Sequence, residues 1–271
     1  MNSLIRQLPE NTMGRDFVLG DLHGCYALLD KLLKYVTFDM RVDRLFSVGD
    51  LADRGPDSLR CLQLLAEPWF YTVKGNHEQM LIDFFKPYRY PTHSIHADEY
   101  EQHVELLMDN GGRWISEYFQ DPTELMHCLD RMENLPLIYV VGEESQRFHV
   151  IHAELVKSSS RYQYSFWLDS DIDGWLMTGV VPDAVQSRLL WGRSLMSNDY
   201  DLPINPQLSR TFCGHTIISR PRQTGSHIAI DTGAFISLKG DERHGLTLFA
   251  VNEQCYYWAS YAQKEVFLFS C

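Results

Sequence analysis

Residues 16–24 read Asp16-Phe17-Val18-Leu19-Gly20-Asp21-Leu22-His23-Gly24, a short apolar run that leads into a polar turn. The same arrangement returns at residues 44–50 (RLFSVGD) and 70–76 (FYTVKGN). Each run has the length and boundaries of a buried β-strand. Helical spacing of apolar residues predicts helices in between, at residues 26–38 and 58–66. Strands alternate with helices, so the sequence predicts an α/β fold with functional side chains after the strand ends.

The rest of the chain predicts a single domain over residues 16–271, preceded by an arm over residues 1–15. Residues 86–145 are expected to be mostly helical, with a β-hairpin around residues 142–145. A strand is expected at 210–213. A mainly antiparallel run of strands follows at residues 228–230, 246–251, 255–259 and 266–269.

Two polar stretches, residues 86–105 and 155–190, predict loops that select the substrate, because loops over a rigid site often have that role. The second stretch contains Asp169-Ser170-Asp171-Ile172-Asp173-Gly174, which copies the opening of a calcium-binding EF-hand loop. The twelfth position of such a loop is a bidentate glutamate, but here it is Val180. We therefore expect an acidic, solvated loop at this segment.

The composition excludes several classes of protein. A hydrophobic share of 45% provides a sizeable core, and no apolar stretch approaches the roughly 20 residues that span a bilayer. A net charge of −12, from 36 acidic and 24 basic residues, repels nucleic acid. The N-terminal region lacks an apolar signal segment and the cysteines are scattered, so a cytoplasmic location with reduced thiols is expected. The oligomeric state stays open, and a monomer is compatible with the sequence.

Six side chains of metal-ligand type follow strand-like runs: Asp21, His23, Asp50, Asn76, His152 and His215. Oxygen and imidazole ligands without thiolates suit two divalent ions such as manganese, iron or zinc. Asp21 and His23 share one face and can converge on one ion. Asp50 can bridge both ions through its two carboxylate oxygens, and the other three side chains would complete the second ion. Two such ions about 3.5–4 Å apart are suited to hydrolysis of phosphate esters.

Four more residues complete the predicted site. His77 would be the general acid that protonates the departing alkoxide, and Asp53 would fix the tautomer of His77. Arg54 and Arg193 have planar guanidinium groups that match phosphate oxygens. Both arginines, together with Asn76, are assigned to substrate binding. Asp231 is expected to have a structural role.

These motifs closely resemble those of metal-dependent serine/threonine phosphoprotein phosphatases of the bacterial and phage type, in the calcineurin-like metallophosphoesterase superfamily. The resemblance rests on residues 20–24, 49–55, 75–78 and 214–216, on His152, and on residues 190–193 around the second phosphate-binding arginine. It implies a central β-sandwich of two mixed sheets flanked by helices, in four layers. It also implies a dinuclear metal centre, commonly manganese. Glu154 departs from the glycine or aspartate that is common at its position, which leaves the substrate open.

The sequence therefore predicts a hydrolase of phosphate monoesters, and specifically a protein serine/threonine phosphatase acting on a phosphorylated protein or peptide. A hydroxide shared by the two metals would attack phosphorus while His77 protonates the leaving group. One alternative is a hydrolase of diadenosine tetraphosphate or a related nucleotide. Such relatives often lack the aspartate matching Asp53 and have aspartate in place of Glu78. Another alternative is a catalytically silent binding module, which would be expected to have lost ligands.

Overall fold

This computed structural model, which describes residues 3–91, 96–160, 163–196 and 202–270, contains two six-stranded β-sheets and seven α-helices. The strands are β1 (Ile5–Leu8), β2 (Asp16–Leu19), β3 (Arg44–Ser47), β4 (Phe70–Thr72), β5 (Ile138–Val141), β6 (Phe148–Ile151), β7 (Val156–Ser160), β8 (Gln163–Phe166), β9 (Arg210–Cys213), β10 (Arg222–Thr224), β11 (His227–Ala229), β12 (Leu246–Ala250), β13 (Cys255–Ala259) and β14 (Val266–Ser270). The α-helices are α1 (Tyr26–Tyr35), α2 (Ser58–Gln63), α3 (Asn76–Arg89), α4 (Ala97–Asp109), α5 (Thr123–Met132), α6 (Asp169–Thr178) and α7 (Asp183–Trp191). Short 3-10 helices occur at Leu64–Ala66, Gly112–Tyr118, Glu144–Gln146 and Ala234–Lys239.

Both large sheets are mixed. One has the strand order β1-β5-β6-β9-β11-β10, and the other has the order β14-β13-β12-β2-β3-β4. Strands β2, β3 and β4 pair in parallel, whereas β12, β13 and β14 pair in antiparallel fashion. Strands β7 and β8 form a separate two-stranded sheet. The predicted α/β class with two mixed sheets is confirmed.

Alternation along the strands distributes side chains between the two faces of each sheet. On β2, Val18 lies in the cluster between the two sheets, whereas Phe17 and Leu19 pack with residues of helices α1, α2, α3 and α5. On β11, Ile228 points into the sandwich, and Ala229 packs with residues of α6 and α7. Successive strand residues point to opposite faces, so each sheet is covered on both sides. The result is the predicted four-layer order of helices, sheet, sheet and helices.

Aromatic side chains hold the two sheets together. Phe46 meets Phe148 edge-on with 5.8 Å between the ring centroids, and Phe212 lies 4.9 Å from Phe249. Phe46 and Phe249 belong to one sheet, and their partners belong to the other. All four are buried, so these contacts form the centre of the sandwich.

Parallel pairing brings the predicted ligand loops to one end of the sandwich. Leu19 on β2 pairs with Ser47 on β3, and Ser47 pairs with Thr72 on β4. In the other sheet, β6 and β9 are also parallel, with Val150 opposite Phe212. The carboxyl ends of parallel neighbours lie side by side, so the loops after β2, β3 and β4 meet in one sheet, and those after β6 and β9 meet in the other.

The segment before residue 16 is more than an arm. Ile5–Leu8 forms β1, which pairs in parallel with Ile138–Val141 at the edge of one sheet. Ile5 is buried, but Arg6 and Gln7 next to it are polar. An edge strand of four residues with this composition lacks the apolar run that marked the other strands, which explains why the sequence analysis missed it.

The antiparallel run expected from residue 228 begins only at β12. Strand β11 pairs in parallel with β9 and in antiparallel fashion with β10 (Arg222–Thr224). The sequence pattern did not predict β10, which is short and polar. Because β10 runs antiparallel to β11, the chain reverses between these two strands, and β11 runs parallel to β9.

The two stretches predicted as loops consist largely of regular structure. Residues 155–190 contain the β7–β8 hairpin and helices α6 and α7, and residues 86–105 contain the end of α3 and most of α4. Residues 92–95 and 161–162 of these stretches lie outside the described residues. A role of either stretch in substrate selection stays a prediction.

The acidic segment at residues 169–174 opens helix α6 and is not a solvated loop. The Asp171 carboxylate accepts a hydrogen bond from the Leu168 backbone N–H at 2.8 Å. The Asp169 carboxylate accepts bonds from the backbone N–H and the hydroxyl of Ser209, at 2.9 and 2.6 Å. Carboxylates are favourable in the first turn of a helix, so the acidic run is explained by the helix start.

None of the helices in the described ranges has both the length and the apolar character needed to cross a bilayer. The cysteines within those ranges, Cys25, Cys61, Cys128, Cys213 and Cys255, are free thiols. Cys271 lies outside the described residues.

We predict that Phe212→Ala lowers the free energy of unfolding by about 3–5 kcal/mol, because it leaves a cavity between the sheets. Phe119→Ala is the matched control, since the Phe119 side chain is 57% exposed. Urea unfolding followed by fluorescence measures both variants. Equal losses for the two would contradict the assignment of Phe212 to the centre of the sandwich.

Candidate metal centre

The loops at the ligand end of the sandwich have strained backbone conformations. Eight non-glycine residues of the described chain have a positive φ, and five of them belong to the predicted site: His23, Asp50, Asp53, Arg54 and His215. The left-handed region costs a residue with a β-carbon about 1–2 kcal/mol, and such strain tends to cluster at functional sites. The strain is therefore concentrated where the predicted ligands lie.

Asp50 lies at the centre of the site, and its two carboxylate oxygens face different groups. Oδ2 is 3.6 Å from His23 Nε2, and Oδ1 is 3.5 Å from His152 Nε2. Ligand atoms of His23, Asp50 and His77 lie within 4.8 Å of one another. Those of Asp50, His152 and His215 form a second cluster within the same distance. Because Asp50 belongs to both clusters, its carboxylate can serve two cations.

Backbone carbonyls determine which ring nitrogen of two histidines faces the centre. Nδ1 of His23 donates to the Ala52 carbonyl at 2.9 Å, and Nδ1 of His152 donates to the Val48 carbonyl at 2.8 Å. The Nε2 atoms of both rings therefore present lone pairs toward Asp50. Orientation of a histidine by a backbone carbonyl is common among metal ligands.

The contacts of these lone pairs fit cations. His152 Nε2 lies 2.9 Å from Asn76 Oδ1 and 3.0 Å from His215 Nδ1. His152 already donates through Nδ1, so its Nε2 meets the amide oxygen with lone pair against lone pair, and a cation between them would satisfy both atoms. Arg54 Nη1 lies 2.7 Å from His23 Nε2, so a positively charged guanidinium faces the lone pair of that nitrogen. Imidazole nitrogens with carboxylate and amide oxygens suit divalent transition metals.

Two more buried carboxylates add negative charge beside Asp50. The Asp21 carboxylate accepts the backbone N–H of His215 at 3.1 Å. Burial, with the charges of Asp231 and Asp50, raises the pKa of Asp21 well above its usual range. Burial also raises the pKa of Asp231 to about 6, and Asp50 adds to this effect. Bound cations would relieve this crowding of negative charge.

Asp21 lies beside the two clusters of ligand atoms but belongs to neither, and His77 stands in the first cluster instead. A β-carbon at Gly214 would collide with the Asp21 carboxylate, so the glycine is required for the approach of this side chain. The Asp231 carboxylate accepts the backbone N–H of Gly233 at 2.9 Å, which agrees with the expected structural role. Its charge also contributes to the raised pKa of Asp21, so Asp231 lies near the site.

The protonation states suit metal ligands. Burial lowers the pKa of His23 and of His152. Burial, together with His152 and Arg193, lowers the pKa of His215 to about 2. Burial works against the ionised form of Asp50, but the surrounding histidines, His152 first, bring its pKa below the usual range. Neutral imidazoles and an ionised carboxylate are the forms that bind metal ions.

His77 is oriented by Asp53, as the sequence analysis placed them. His77 Nδ1 donates to Asp53 Oδ2 at 2.5 Å, and Trp114 Nε1 donates to Asp53 Oδ1 at 2.6 Å. Burial opposes the charged form of His77, but Asp50 and Asp53 outweigh it and raise its pKa. His77 Nε2 is buried, has no hydrogen-bond partner among the described residues and lies 3.8 Å from Asp50 Oδ2. This atom therefore faces the centre and is available for proton transfer.

The two arginines reach the centre from different sides. The Arg54 guanidinium lies over the Phe235 ring, 4.8 Å from its centroid, and the same ring meets His23 edge-on at 5.3 Å. Arg193 Nη1 donates to the His215 carbonyl at 2.9 Å. Both guanidinium groups lie beside predicted metal ligands, where they can contact a phosphoryl group bound at the centre.

Glu78 has a role that the sequence analysis did not assign. Its buried carboxylate accepts the backbone N–H groups of Asp50, Leu51 and Gly75 at 2.9, 2.8 and 2.8 Å. Burial and the charge of Asp50 raise the pKa of Glu78 to about 7. Glu78 thus joins the loop after β3 to the loop after β4. The spacing from Gly75 to Glu78 is that of a helix capping box, a signal that was present in the sequence.

Trp114 and Phe235 also contact site residues and were not predicted. Trp114 lies in the 3-10 helix Gly112–Tyr118, and Phe235 lies in the 3-10 helix Ala234–Lys239. Neither stands in a motif with characteristic spacing, so the sequence had no local signal for them. The structure thus brings together two groups of side chains that could each hold a metal ion, the His77 imidazole and two guanidinium groups. This combination is suited to attack of water on a phosphate ester.

This chain is similar to known proteins to different extents. The family profile described as calcineurin-like phosphoesterase matches residues 17–218. A protein named serine/threonine-protein phosphatase 2, from Salmonella typhimurium, is 31% identical over 224 residues, which are 82% of this chain and 88% of that protein. A protein named symmetrical bis(5'-nucleosyl)-tetraphosphatase, from Dechloromonas aromatica, is 46% identical over 68 residues, or 24% of this chain and 25% of that protein. A solved structure described provisionally as a diadenosine tetraphosphatase superposes with a TM-score of 0.61 at 20% identity, covering 95% of this chain and 98% of that one.

We predict that Glu78→Ala lowers the free energy of unfolding by at least about 2 kcal/mol, because three buried backbone N–H groups lose their acceptor. Glu117→Ala is the control, since Glu117 is exposed on the 3-10 helix Gly112–Tyr118. Chemical denaturation measures both variants. A Glu78 variant as stable as the control would show that this carboxylate does not hold the two loops together.

Proposed function

Because this chain belongs to the calcineurin-like phosphoesterase family and is a hydrolase of the metallophosphoesterase superfamily, we propose that it hydrolyses phosphate monoesters and acts on phosphoserine or phosphothreonine in proteins. One observation carries the proposal: the two oxygens of Asp50 face His23 on one side and His152 on the other, and His77 Nε2, which has no hydrogen-bond partner among the described residues, lies 3.8 Å from Asp50 Oδ2. The two clusters fit two cations, and the histidine supplies the proton that an alkoxide leaving group needs.

The metal ligands would divide between two divalent ions. Asp21 and His23 would bind one ion, Asp50 would bridge, and the second ion would be completed by Asn76, His152 and His215. This donor set suits manganese, with iron or zinc as alternatives. Bound ions would supply activation of water as the nucleophile and neutralisation of charge on the phosphoryl group.

The residues around the metal ligands have separate roles. Arg54 and Arg193, with the Asn76 amide, would hold the phosphoryl oxygens and offset the charge that develops in the transition state. His77 would donate its proton from Nε2 to the departing alkoxide. Asp53 would keep that proton donor in position through its 2.5 Å hydrogen bond to His77 Nδ1. No covalent phosphoenzyme is needed in this scheme.

The choice of a phosphoprotein over a nucleotide has two supports. The named phosphatase from Salmonella typhimurium aligns over most of both chains, whereas the named tetraphosphatase from Dechloromonas aromatica aligns over a quarter of each. In this structure Asp53 pairs with His77, and Glu78 holds the ligand loops. These are the two positions at which nucleotide hydrolases were expected to differ. The local match over 68 residues keeps diadenosine tetraphosphate as the second candidate substrate.

The proposed function predicts turnover of phosphoserine and phosphothreonine peptides in the presence of manganese. Chelation should stop the reaction, and added manganese should restore it. Phosphate release is measured in parallel on phosphoserine, phosphothreonine and phosphotyrosine peptides and on diadenosine tetraphosphate, with Asp50→Asn as the inactive control. Faster hydrolysis of the dinucleotide than of any peptide would overturn the proposed substrate. Near-normal turnover by Asp50→Asn would refute the bridging role.

The proposed acid role of His77 predicts a dependence on the leaving group. His77→Asn should retain metal but lose at least about a hundredfold in kcat on a phosphoserine peptide, since an alkoxide must be protonated as it departs. The loss on nitrophenyl phosphate should be smaller, because nitrophenolate departs without a proton. Metal content by mass spectrometry and kcat on both substrates test this prediction. Equal losses on the two substrates would exclude the acid role.

A further inference from the structure

Arg193 lies in a short irregular segment, residues 192–195, that follows helix α7. The Arg193 side chain is exposed, so packing in the core does not determine where its guanidinium points. An arginine that binds a phosphoryl group has to be held in place, because its long side chain otherwise loses conformational entropy on binding. The contacts of the segment around Arg193 therefore decide how well this group is oriented.

The carboxylate of Glu154 binds the 192–195 segment. Glu154 is 2% exposed and lies two residues after the predicted ligand His152. Its carboxylate accepts hydrogen bonds from the Ser194 hydroxyl at 2.7 Å and from the Leu195 backbone N–H at 2.8 Å. Arg188, in helix α7, donates to the same carboxylate at 3.1 Å. A buried carboxylate near an anion-binding site is unfavourable unless its hydrogen bonds compensate, and here those bonds fix both residues that follow Arg193.

Tyr164 holds the same segment from the other side. It lies on β8 of the two-stranded β7–β8 sheet, and its hydroxyl donates to the Ser194 carbonyl at 2.9 Å. Gly192 completes the fit, since a β-carbon there would collide with the Glu154 side chain. Ser194 is thus bound at its hydroxyl by Glu154 and at its carbonyl by Tyr164. The neighbouring Arg193 is left directed at the His215 carbonyl, 2.9 Å away.

We propose that Glu154 and Tyr164 are positioning residues that hold Arg193 ready to bind a phosphoryl group. Glu154 binds Ser194 and Leu195, and Tyr164 binds Ser194, so both act through the 192–195 segment. The β7–β8 hairpin is in this way connected to phosphate recognition, which gives a concrete role to part of the 155–190 region. The inference rests on the proposed function, in which Arg193 binds substrate.

The test measures binding of inorganic phosphate to the manganese-loaded protein by calorimetry, together with KM and kcat on nitrophenyl phosphate. We expect Arg193→Ala to weaken phosphate binding at least tenfold, because it removes a charge-assisted hydrogen bond. Glu154→Ala should weaken binding about tenfold and Tyr164→Phe about threefold, since each frees one side of the segment. In the Glu154→Ala and Tyr164→Phe variants, KM should rise by similar factors, whereas kcat should change less.

A double-mutant cycle separates positioning from a general effect on the fold. If Glu154 and Tyr164 act through Arg193, their substitutions should have no further effect on phosphate binding in the Arg193→Ala background. The same loss in both backgrounds would overturn the proposal, as would unchanged phosphate binding by single variants that melt like the wild type. Glu253→Ala, at an exposed glutamate, serves as the control for loss of one negative charge.

Two outcomes keep this proposal distinct from the proposed function. If the wild-type protein neither binds phosphate nor hydrolyses nitrophenyl phosphate, the proposed function fails. If the wild type does both and the cycle shows no coupling to Arg193, only the positioning role fails. If Glu154→Ala does not melt cooperatively, Tyr164→Phe decides the question, because it removes one hydroxyl from a half-buried side chain.

Discussion

The geometry of the whole centre depends on the buried carboxylate of Glu78. Three backbone N–H groups, from two loops in different parts of the chain, converge on its two oxygens. One loop carries Asp50, and the other opens helix α3 with Asn76 and His77. A carboxylate that accepts several backbone donors replaces the water those donors would otherwise need. It can therefore hold the left-handed turn at Asp50 close to the start of helix α3, in a region where regular sheet hydrogen bonding has ended.

The sequence predicted the parts of the molecule that have local patterns. Apolar runs ending in Gly-Asp or Gly-Asn marked β2, β3 and β4, and the parallel pairing of these strands explains why side chains far apart in the chain meet. The pair His77 and Asp53 was predictable, because a histidine proton donor needs a partner and Asp53 stands in the adjacent motif. The structure brings these two side chains into contact, while their catalytic roles remain proposals.

The features that were missed depend on tertiary contacts. Strand β1 has only Ile5 as a fully buried apolar residue, and its pairing with β5 joins segments more than a hundred residues apart. Phe235 and Trp114 reach the centre from 3-10 helices whose sequences resemble ordinary loops. The acidic segment that opens helix α6 lacked helical spacing strong enough to outweigh its likeness to an ion-binding loop. Periodicity reports local structure, so contacts of this kind become visible only when the sheets are assembled.

Backbone strain lowers the stability of this protein at five positions of the site. These left-handed residues are His23, Asp50, Asp53, Arg54 and His215. Glycine adopts that conformation without a steric penalty. Replacing any of the five residues with glycine would therefore relax the main chain and remove a polar side chain from the site in the same step. Under the proposed function, directed evolution for heat resistance alone would favour such replacements and yield stable but inactive proteins. A thermostable variant of this enzyme therefore has to be sought in its outer helical layers, with turnover screened in every round.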